Sequence, residues 1–390
     1  MKKSLVALAA LVTTGAFAQS SVTLSGIMDV GVTYSSAIAP GASKLGVGSG
    51  NNNRLIFSGV EDLGGGLAAT FSAQIRFDPT TGTNERGSAG YISTAATGRD
   101  ANGTLLGATG TNFGRPLVQG ESRVGLRGGF GAIRLGRGLT ALQAPNGSAL
   151  DPWVVTTVAS SVYAPGYATD YVQGGEGRTD GIFYDTPSFS GLSASLTYSP
   201  RKVATTTTTG KSFYSFAVNY NNGPIVGLLG YEQNRYGDSL LNFGGNYNLG
   251  AAKLYFGYGS VKGGAAVDRA GVAFLANSGT MPGYGGGMTA FGQTVGVVGA
   301  ASTINAYSFG ATAPVGAAKL LFGYSSYKSN IAGTARDSKL GLGVNYALSK
   351  RTSIYSNLAS FTRKNNLAGI NPATNNDRVT AFDLGIAHAF

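Results

Sequence analysis

Residues 22–34 read Val22-Thr23-Leu24-Ser25-Gly26-Ile27-Met28-Asp29-Val30-Gly31-Val32-Thr33-Tyr34. Val22, Leu24, Met28, Val30, Val32 and Tyr34 share one parity, and Thr23, Ser25, Asp29 and Thr33 share the other. Successive side chains of a strand point to opposite faces, so a period of two sets an apolar face against a polar one. The chain ends in the same way: Phe382, Leu384, Ile386 and Phe390 alternate with Asp383, Gly385, Ala387 and Ala389. Between the two lies a third such run, with Leu340, Leu342, Val344, Tyr346 and Leu348 opposite Gly341, Gly343 and Asn345.

Outward from these runs, short turns recur at Leu63-Gly64-Gly65-Gly66, Phe130-Gly131, Ser188 to Gly191, Asn221 to Pro224, Asn248 to Ala251, Pro314 to Ala317 and Ser349-Lys350. Their Gly, Pro, Asn and Ser residues carry the chemistry of hairpin turns. Seven such turns with both termini on their side give sixteen strands. The eight remaining connections are 35–52, 79–119, 138–178, 200–210, 236–238, 262–301, 328–336 and 362–377. Most are long and polar. Long connections on one side and tight turns on the other are the asymmetry of a transmembrane barrel.

Composition agrees. Hydrophobic residues make up 43% and charged residues 12%, where soluble domains carry about 25% charged. No segment reaches the roughly 18 consecutive apolar residues of a membrane helix. A membrane-like composition without a membrane helix is resolved by a closed barrel, which satisfies every backbone group in lipid. The expected class is therefore all-β, a transmembrane sixteen-stranded antiparallel barrel. The 20 Tyr and 19 Phe suit the aromatic girdles of such a wall. Tyr198, Tyr220, Tyr247, Tyr258, Phe322 and Tyr346 fall near strand ends. The 62 Gly show no three-residue period, which excludes collagen.

Lys2 and Lys3, an apolar core from Leu5 to Val12 and the small-x-small site Ala16-Phe17-Ala18 form an export signal over 1–18, leaving 19–390 as the barrel. There is no Cys, and the single His388 lies two places before the end, facing lipid by its parity. A Ser-His dyad or His metal cluster has no residue to use, so no enzyme, metal or cofactor is expected. The formal charge is +11, of which Lys2 and Lys3 supply two. These charges are scattered singly, without a basic run interleaved with aromatics, so nucleic acid is not the expected partner; anionic lipid or an anion path is.

Several stretches carry a family resemblance. Arg54-Leu55-Ile56-Phe57-Ser58-Gly59-Val60-Glu61-Asp62-Leu63-Gly64 resembles the second strand and first turn of the trimeric general porins of Gram-negative outer membranes. Ser122-Arg123-Val124-Gly125-Leu126-Arg127-Gly128 through Leu135-Gly136-Arg137 resembles their fourth and fifth strands. Gly177-Arg178 through Phe183-Tyr184, then Pro187 to Gly191, resembles the sixth strand and its turn. Gly385-Ile386-Ala387-His388-Ala389-Phe390 is similar to the closing strand of the beta-proteobacterial branch.

The resemblance implies a homotrimer in the outer membrane, in contact with outer-membrane lipid and lipopolysaccharide. Each subunit would be a water-filled passive channel for small hydrophilic solutes and ions. It implies that the third loop, 138–178, folds inward and narrows the pore, and that Arg137 at its root latches a neighbouring subunit's second loop, with Asp78 and Glu85 as candidate acids. It implies that Phe390 is read by the barrel-insertion machinery. The alternative is a channel specific for a sugar or organic acid, toward which Tyr163, Tyr167 and Tyr171 point.

Parity places Arg54, Arg76, Arg123 and Arg127 inward, opposite Leu55, Ile75, Val124 and Leu126. The resemblance makes Arg54, Arg123 and Arg178 wall arginines that face the third loop, and parity adds Arg76. The enteric relatives carry acids in that loop, one just after a proline and one three residues before it. Here the stretch reads Val162-Tyr163-Ala164-Pro165-Gly166-Tyr167, with Val162 and Gly166 at the acid positions. A net positive constriction that favours anions is the expectation.

Overall fold

The computed structural model describes residues 21–36, 45–51, 53–80, 82, 117, 118, 120–154, 156–160, 178–200, 212–233, 239–262, 303–330, 336–362 and 378–390. The export signal over 1–18, the loop stretch with Val162, Pro165, Gly166 and Tyr167, and Glu85 lie outside the described residues.

Seventeen strands and one helix are described. The first half holds β1 (Ser21–Ser35), β2 (Leu45–Gly48), β3 (Arg54–Gly64), β4 (Leu67–Arg76), β5 (Ser122–Gly128), β6 (Gly131–Leu139), the helix α1 (Gln143–Leu150), β7 (Arg178–Asp185) and β8 (Leu192–Ser199). The second half holds β9 (Phe213–Asn222), β10 (Ile225–Gln233), β11 (Ser239–Asn248), β12 (Lys253–Lys262), β13 (Thr303–Val315), β14 (Ala318–Ser329), β15 (Asp337–Ala347), β16 (Thr352–Thr362) and β17 (Arg378–Ala389). From β3 to β17 each strand pairs antiparallel with its neighbours in chain order. β1 pairs on one edge with β17, from Ile27↔Ala389 to Ser35↔Ala381. On its other edge β1 pairs with β3 over Ser21–Ile27 and with β2 over Gly31–Tyr34. β2 and β3 are thus two pieces of one stave, and the wall is a closed barrel of sixteen staves. Closure leaves no free strand edge, which is what lets a sheet cross lipid.

All seven turns read from the sequence join consecutive strands. At the first, Gly64, Gly65 and Gly66 hold φ of 84°, 60° and 80°. Only glycine adopts such a left-handed run without strain. The alternation holds as well. Val22 and Leu24 are 71% and 56% exposed, whereas Asp29 and Thr33 on the opposite parity are 1% and 3% exposed. An exposed face of large apolar residues would be an error in water. In lipid it is the solvated face, and the polar groups belong to the lumen.

The outer face is not uniform. Over β9–β14 it carries Tyr214, Phe216, Tyr231, Phe243, Phe256, Tyr258, Tyr307, Phe309, Phe322 and Tyr324. Rings on β11, β12 and β13 pack together, with centroids 5.0 Å apart for Phe243–Tyr258 and 5.2 Å for Tyr258–Tyr307. Over β1 and β3–β6 the outward side chains are mostly aliphatic, as in Val22, Leu24, Val124, Leu126, Ile133 and Leu135. At the seam, the Gly26 N–H donates to the Phe390 carbonyl at 3.0 Å and the Phe390 N–H to the Gly26 carbonyl at 3.1 Å. The Phe390 ring lies in the space that a β-carbon on Gly26 would fill.

The segment after β6 turns into the barrel and tracks along its inner wall. Thr140 Oγ1 accepts the Gln143 N–H at 3.2 Å at the start of α1. Pro145 sits in the first turn of α1, where a missing N–H costs nothing. Asn246 of β11 donates to the Ser148 and Ala149 carbonyls at 3.2 and 3.0 Å, satisfying groups the helix end leaves open. Glycines on inward rungs make room for the segment. A β-carbon on Gly230 would collide with Leu142, on Gly244 with Leu150, on Gly310 with Pro152, and on Gly341 with Ala159.

Candidate functional site

The lumen is shaped by where that inward segment is fastened and where it is not. Its start is held by the Ala141 N–H on Thr197 Oγ1 of β8 at 2.9 Å and the Leu142 N–H on Ser215 Oγ of β9 at 3.1 Å. Beyond α1 it crosses to the last strands. The Trp153 indole N–H donates to Asn357 Oδ1 of β16 at 2.7 Å, and Asn357 Nδ2 donates to Asp383 Oδ1 of β17 at 2.6 Å. Asp383 Oδ2 accepts the Val158 N–H at 2.9 Å. Lys339 Nζ of β15 donates to the Ser160 carbonyl at 2.6 Å, and Ser160 Oγ to Asp151 at 2.5 Å. The Thr157 N–H reaches the Gly50 carbonyl at 2.6 Å. Asp29 completes the seat by accepting the Gly50 N–H at 2.9 Å and the Tyr355 hydroxyl at 2.6 Å.

These bonds account for three of the lumen's carboxylates. Asp29, Asp151 and Asp383 are 1%, 0% and 1% exposed, and Glu232 of β10 is fully buried. The first three hold the segment and its seat to the wall, and none of the four faces water. Lys339 is buried among them, close enough to Asp151 and Asp383 to interact with both charges.

The adjoining wall is basic. Inward rungs of β3–β6 carry Arg54, Arg76, Arg123, Arg127 and Arg134. Arg54 and Arg76 stand directly opposite each other across the β3–β4 pair. Like charges in that position are destabilising on their own. Arg123 faces Ser72 four residues down β4 from Arg76. It pairs with Glu121 at 2.5 Å, and its guanidinium lies 5.1 Å from the Phe183 ring centroid. Arg134 pairs with Asp185. Asp62 is the acid on the inward rungs of β3–β6. Arginines therefore outnumber acids on this wall, and the two paired acids are supplied from its flanks.

The residues read from the sequence are distributed unevenly. Arg54, Arg76 and Arg123 lie on one continuous stretch of inner wall, with Arg76 only 7% exposed. Arg178 opens β7 opposite Leu139 on the parity of Ile182, one rung before the inward, buried Thr179. Arg137 takes the outward parity of Ile133 and Leu135, and its cross-strand neighbour there is Asp180. Asp29, on the polar face by its parity, accepts from Gly50 and Tyr355. Sequence reading missed Glu121 and Arg134, although both have inward parity. It also missed α1 and the anchors Trp153, Lys339, Tyr355 and Asn357.

A sealed strand wall with an apolar exterior, a polar lumen and a loop fastened across that lumen defines a channel through a membrane, of the β-barrel class. The chain belongs to the Gram-negative porin family, which it matches over residues 4–366. It is 32% identical to outer membrane porin protein 32 of Delftia acidovorans over the full length of both chains. It is 27% identical to an outer membrane porin protein of Bordetella pertussis, again over the full length of both. Among solved structures it is similar to the anion-selective porin from Comamonas acidovorans, with a TM-score of 0.69 and 26% identity, covering 95% of this chain and 100% of that one. It is thus a porin of the outer membrane and a channel for passive diffusion.

Proposed function

We propose that this channel is a general diffusion pore that prefers anions and works as a homotrimer, exported by cleavage after Ala18. The observation that carries the anion preference is the division of the lumen. Arginines line β3–β6, while Asp29 and Asp383 on the adjoining staves are buried under the loop they anchor. An ion in the water-filled part meets guanidinium groups, and the negative charge it would otherwise meet is sealed and partly offset by Lys339. The anion-selective relative from Comamonas acidovorans supports the same reading. The test is the sign of the zero-current potential in a dilute potassium chloride gradient. A preference for chloride supports the reading and a preference for potassium refutes it.

The trimer reading rests on the two-sided exterior. The aromatic half over β9–β14 suits lipid, where rings sit at the interfaces. The aliphatic half over β1 and β3–β6 suits packing against another barrel, and Arg137 lies on that half. Replacing Arg137 with Ala is expected to shift crosslinked material from trimer toward monomer in mild detergent, with single-channel conductance unchanged. Full trimer retention would count against the latch. Phe390 is proposed as the assembly signal as well as the seam closure. Its deletion removes one of many rungs between β1 and β17, so inserted barrels should keep most of their heat stability. The amount reaching the outer membrane should fall severalfold, and an unchanged amount would overturn this role.

A further inference from the structure

At the turn end of the barrel, the periplasmic end, one row of inward residues crosses five strands at a single level. Register sets Asp62 of β3 opposite Ala68 of β4, Ala68 opposite Arg127 of β5, Arg127 opposite Ala132 of β6, and Ala132 opposite Asp185 of β7. Charge alternates along the row as acid, arginine, acid, with an alanine in each interval. Adjacent strands are about 4.8 Å apart, so each acid stands about 10 Å from Arg127 along the wall. Arg127 is exposed and, among the described residues, pairs with neither acid.

Between Arg127 and Asp185 the wall is hollow. An open cavity of about 390 Å³ is lined by Arg127, Ala132, Asp185 and Thr186, with Gly66, Gly128 and Gly131 beside them. Small residues keep it empty. Gly131 has a φ of 103°, and a β-carbon there would strike the Asp185 carbonyl. Thr186 Oγ1 accepts the Ala194 N–H at 2.9 Å, which fixes that edge. Asp185 is oriented by Arg134, which takes its Oδ2, and its Oδ1 has no partner among the described residues. The charges around the cavity are Arg127 and Arg134 against Asp62 and Asp185, and they cancel. A simple anion drawn to Arg127 is repelled by the acids on either side, whereas a solute that carries both charges is attracted at both of its ends.

We propose that Arg127, Ala132 and Asp185 form a docking site for the zwitterionic head of a small α-amino acid. Its carboxylate meets the Arg127 guanidinium, whose planar fork matches two carboxylate oxygens. Its ammonium meets the open oxygen of Asp185. Ala132 supplies the space between them. The site is open to water, so binding is weak and quickly reversed, as a stop on a diffusion path requires. It gives dipolar solutes of no net charge a contact that the arginines higher on the wall do not offer them. The inference rests on the channel class and is independent of the sign of ion selectivity.

The test uses the full-length protein in liposomes and follows the initial influx of L-alanine against its concentration. The wild type is expected to saturate. Ala132→Leu fills the space and keeps every charge, and Arg127→Gln removes the carboxylate partner. Each should raise the half-saturating concentration by about fivefold, the scale set by losing one water-exposed charge pair. Linear alanine influx through the wild type would overturn the proposal, as would an unchanged half-saturation in either variant. L-lactate, which has the carboxylate without the ammonium, should show no such shift. Lactate influx that saturates like alanine's and shifts equally in the variants would also overturn it, since the site would then take any carboxylate. Should Ala132→Leu fail to insert, Arg127→Gln decides in the same way. The sign of the reversal potential, read separately, reports the anion preference and bears on neither outcome.

Discussion

Replacing Asn357 and Asp383 together with Ala is expected to widen the pore. Asn357 accepts from the Trp153 indole, and Asp383 accepts from the Val158 N–H. The double variant removes two of the fastenings beyond α1 while leaving the backbone ladder between β16 and β17 in place. A hydrogen bond between neutral groups contributes about 1 kcal/mol and one to a charged group about 2 kcal/mol, so the two together hold the segment by about 3 kcal/mol. Losing that amount raises the population of a released segment by roughly a hundredfold, at about 1.4 kcal/mol per factor of ten. Single channels should then visit a higher conductance level, and vesicles should admit sugars that the wild type excludes. The barrel should still migrate as a folded species after mild heating. Unchanged conductance with an unchanged size limit would mean that the anchors through Lys339 and Gly50 suffice.

The second large effect concerns charge. A unit charge about 8 Å from a permeating ion is worth roughly 0.5 kcal/mol in bulk-like water. Three arginines give about 1.5 kcal/mol, on the order of a tenfold local enrichment of anions. The Glu121 partner of Arg123 lowers this, and low-dielectric walls raise it by focusing the field. Arg54→Ala combined with Arg123→Ala should therefore move the reversal potential toward cations, with the mostly buried Arg76 left as the remaining charge. Replacing Arg178 should move it less, because its strand parity matches Ile182. An equal or larger shift from Arg178 would show that its side chain turns round the end of β7 into the lumen.

Much of this architecture was legible in the sequence because a barrel repeats one rule. Alternation names the inward residue on every strand, and glycine-rich turns count the hairpins. Parity alone assigns Arg54, Arg76 and Arg123 inward, and the same rule applied to Arg134 and Glu121 would have found them. The anchors are different. Parity shows that Asp29 and Asp383 face inward, but not that loop groups from 50 and from 158 come to meet them. Those partners depend on the path of an irregular segment with no period. α1 escaped for a related reason. Gln-Ala-Pro-Asn-Gly-Ser-Ala-Leu contains a proline and a glycine and has no amphipathic spacing. It is helical because Thr140 caps its start, Asn246 of the wall meets its end, and glycine-lined room lies between. The break between β2 and β3 was hidden likewise, since Gly50 and Asn53 are held by contacts with Asp29 of the neighbouring β1 and Tyr355 of β16.

The most direct measurement is the zero-current potential of the wild-type channel in a planar bilayer, under a potassium chloride gradient, first dilute and then concentrated. Screening reaches about 10 Å at 0.1 M salt and about 3 Å at 1 M. The potential should report a severalfold preference for chloride in dilute salt that nearly vanishes in concentrated salt. A preference for potassium in dilute salt would contradict the account, and would mean that the carboxylates seated under the loop govern the lumen in place of the arginines beside them.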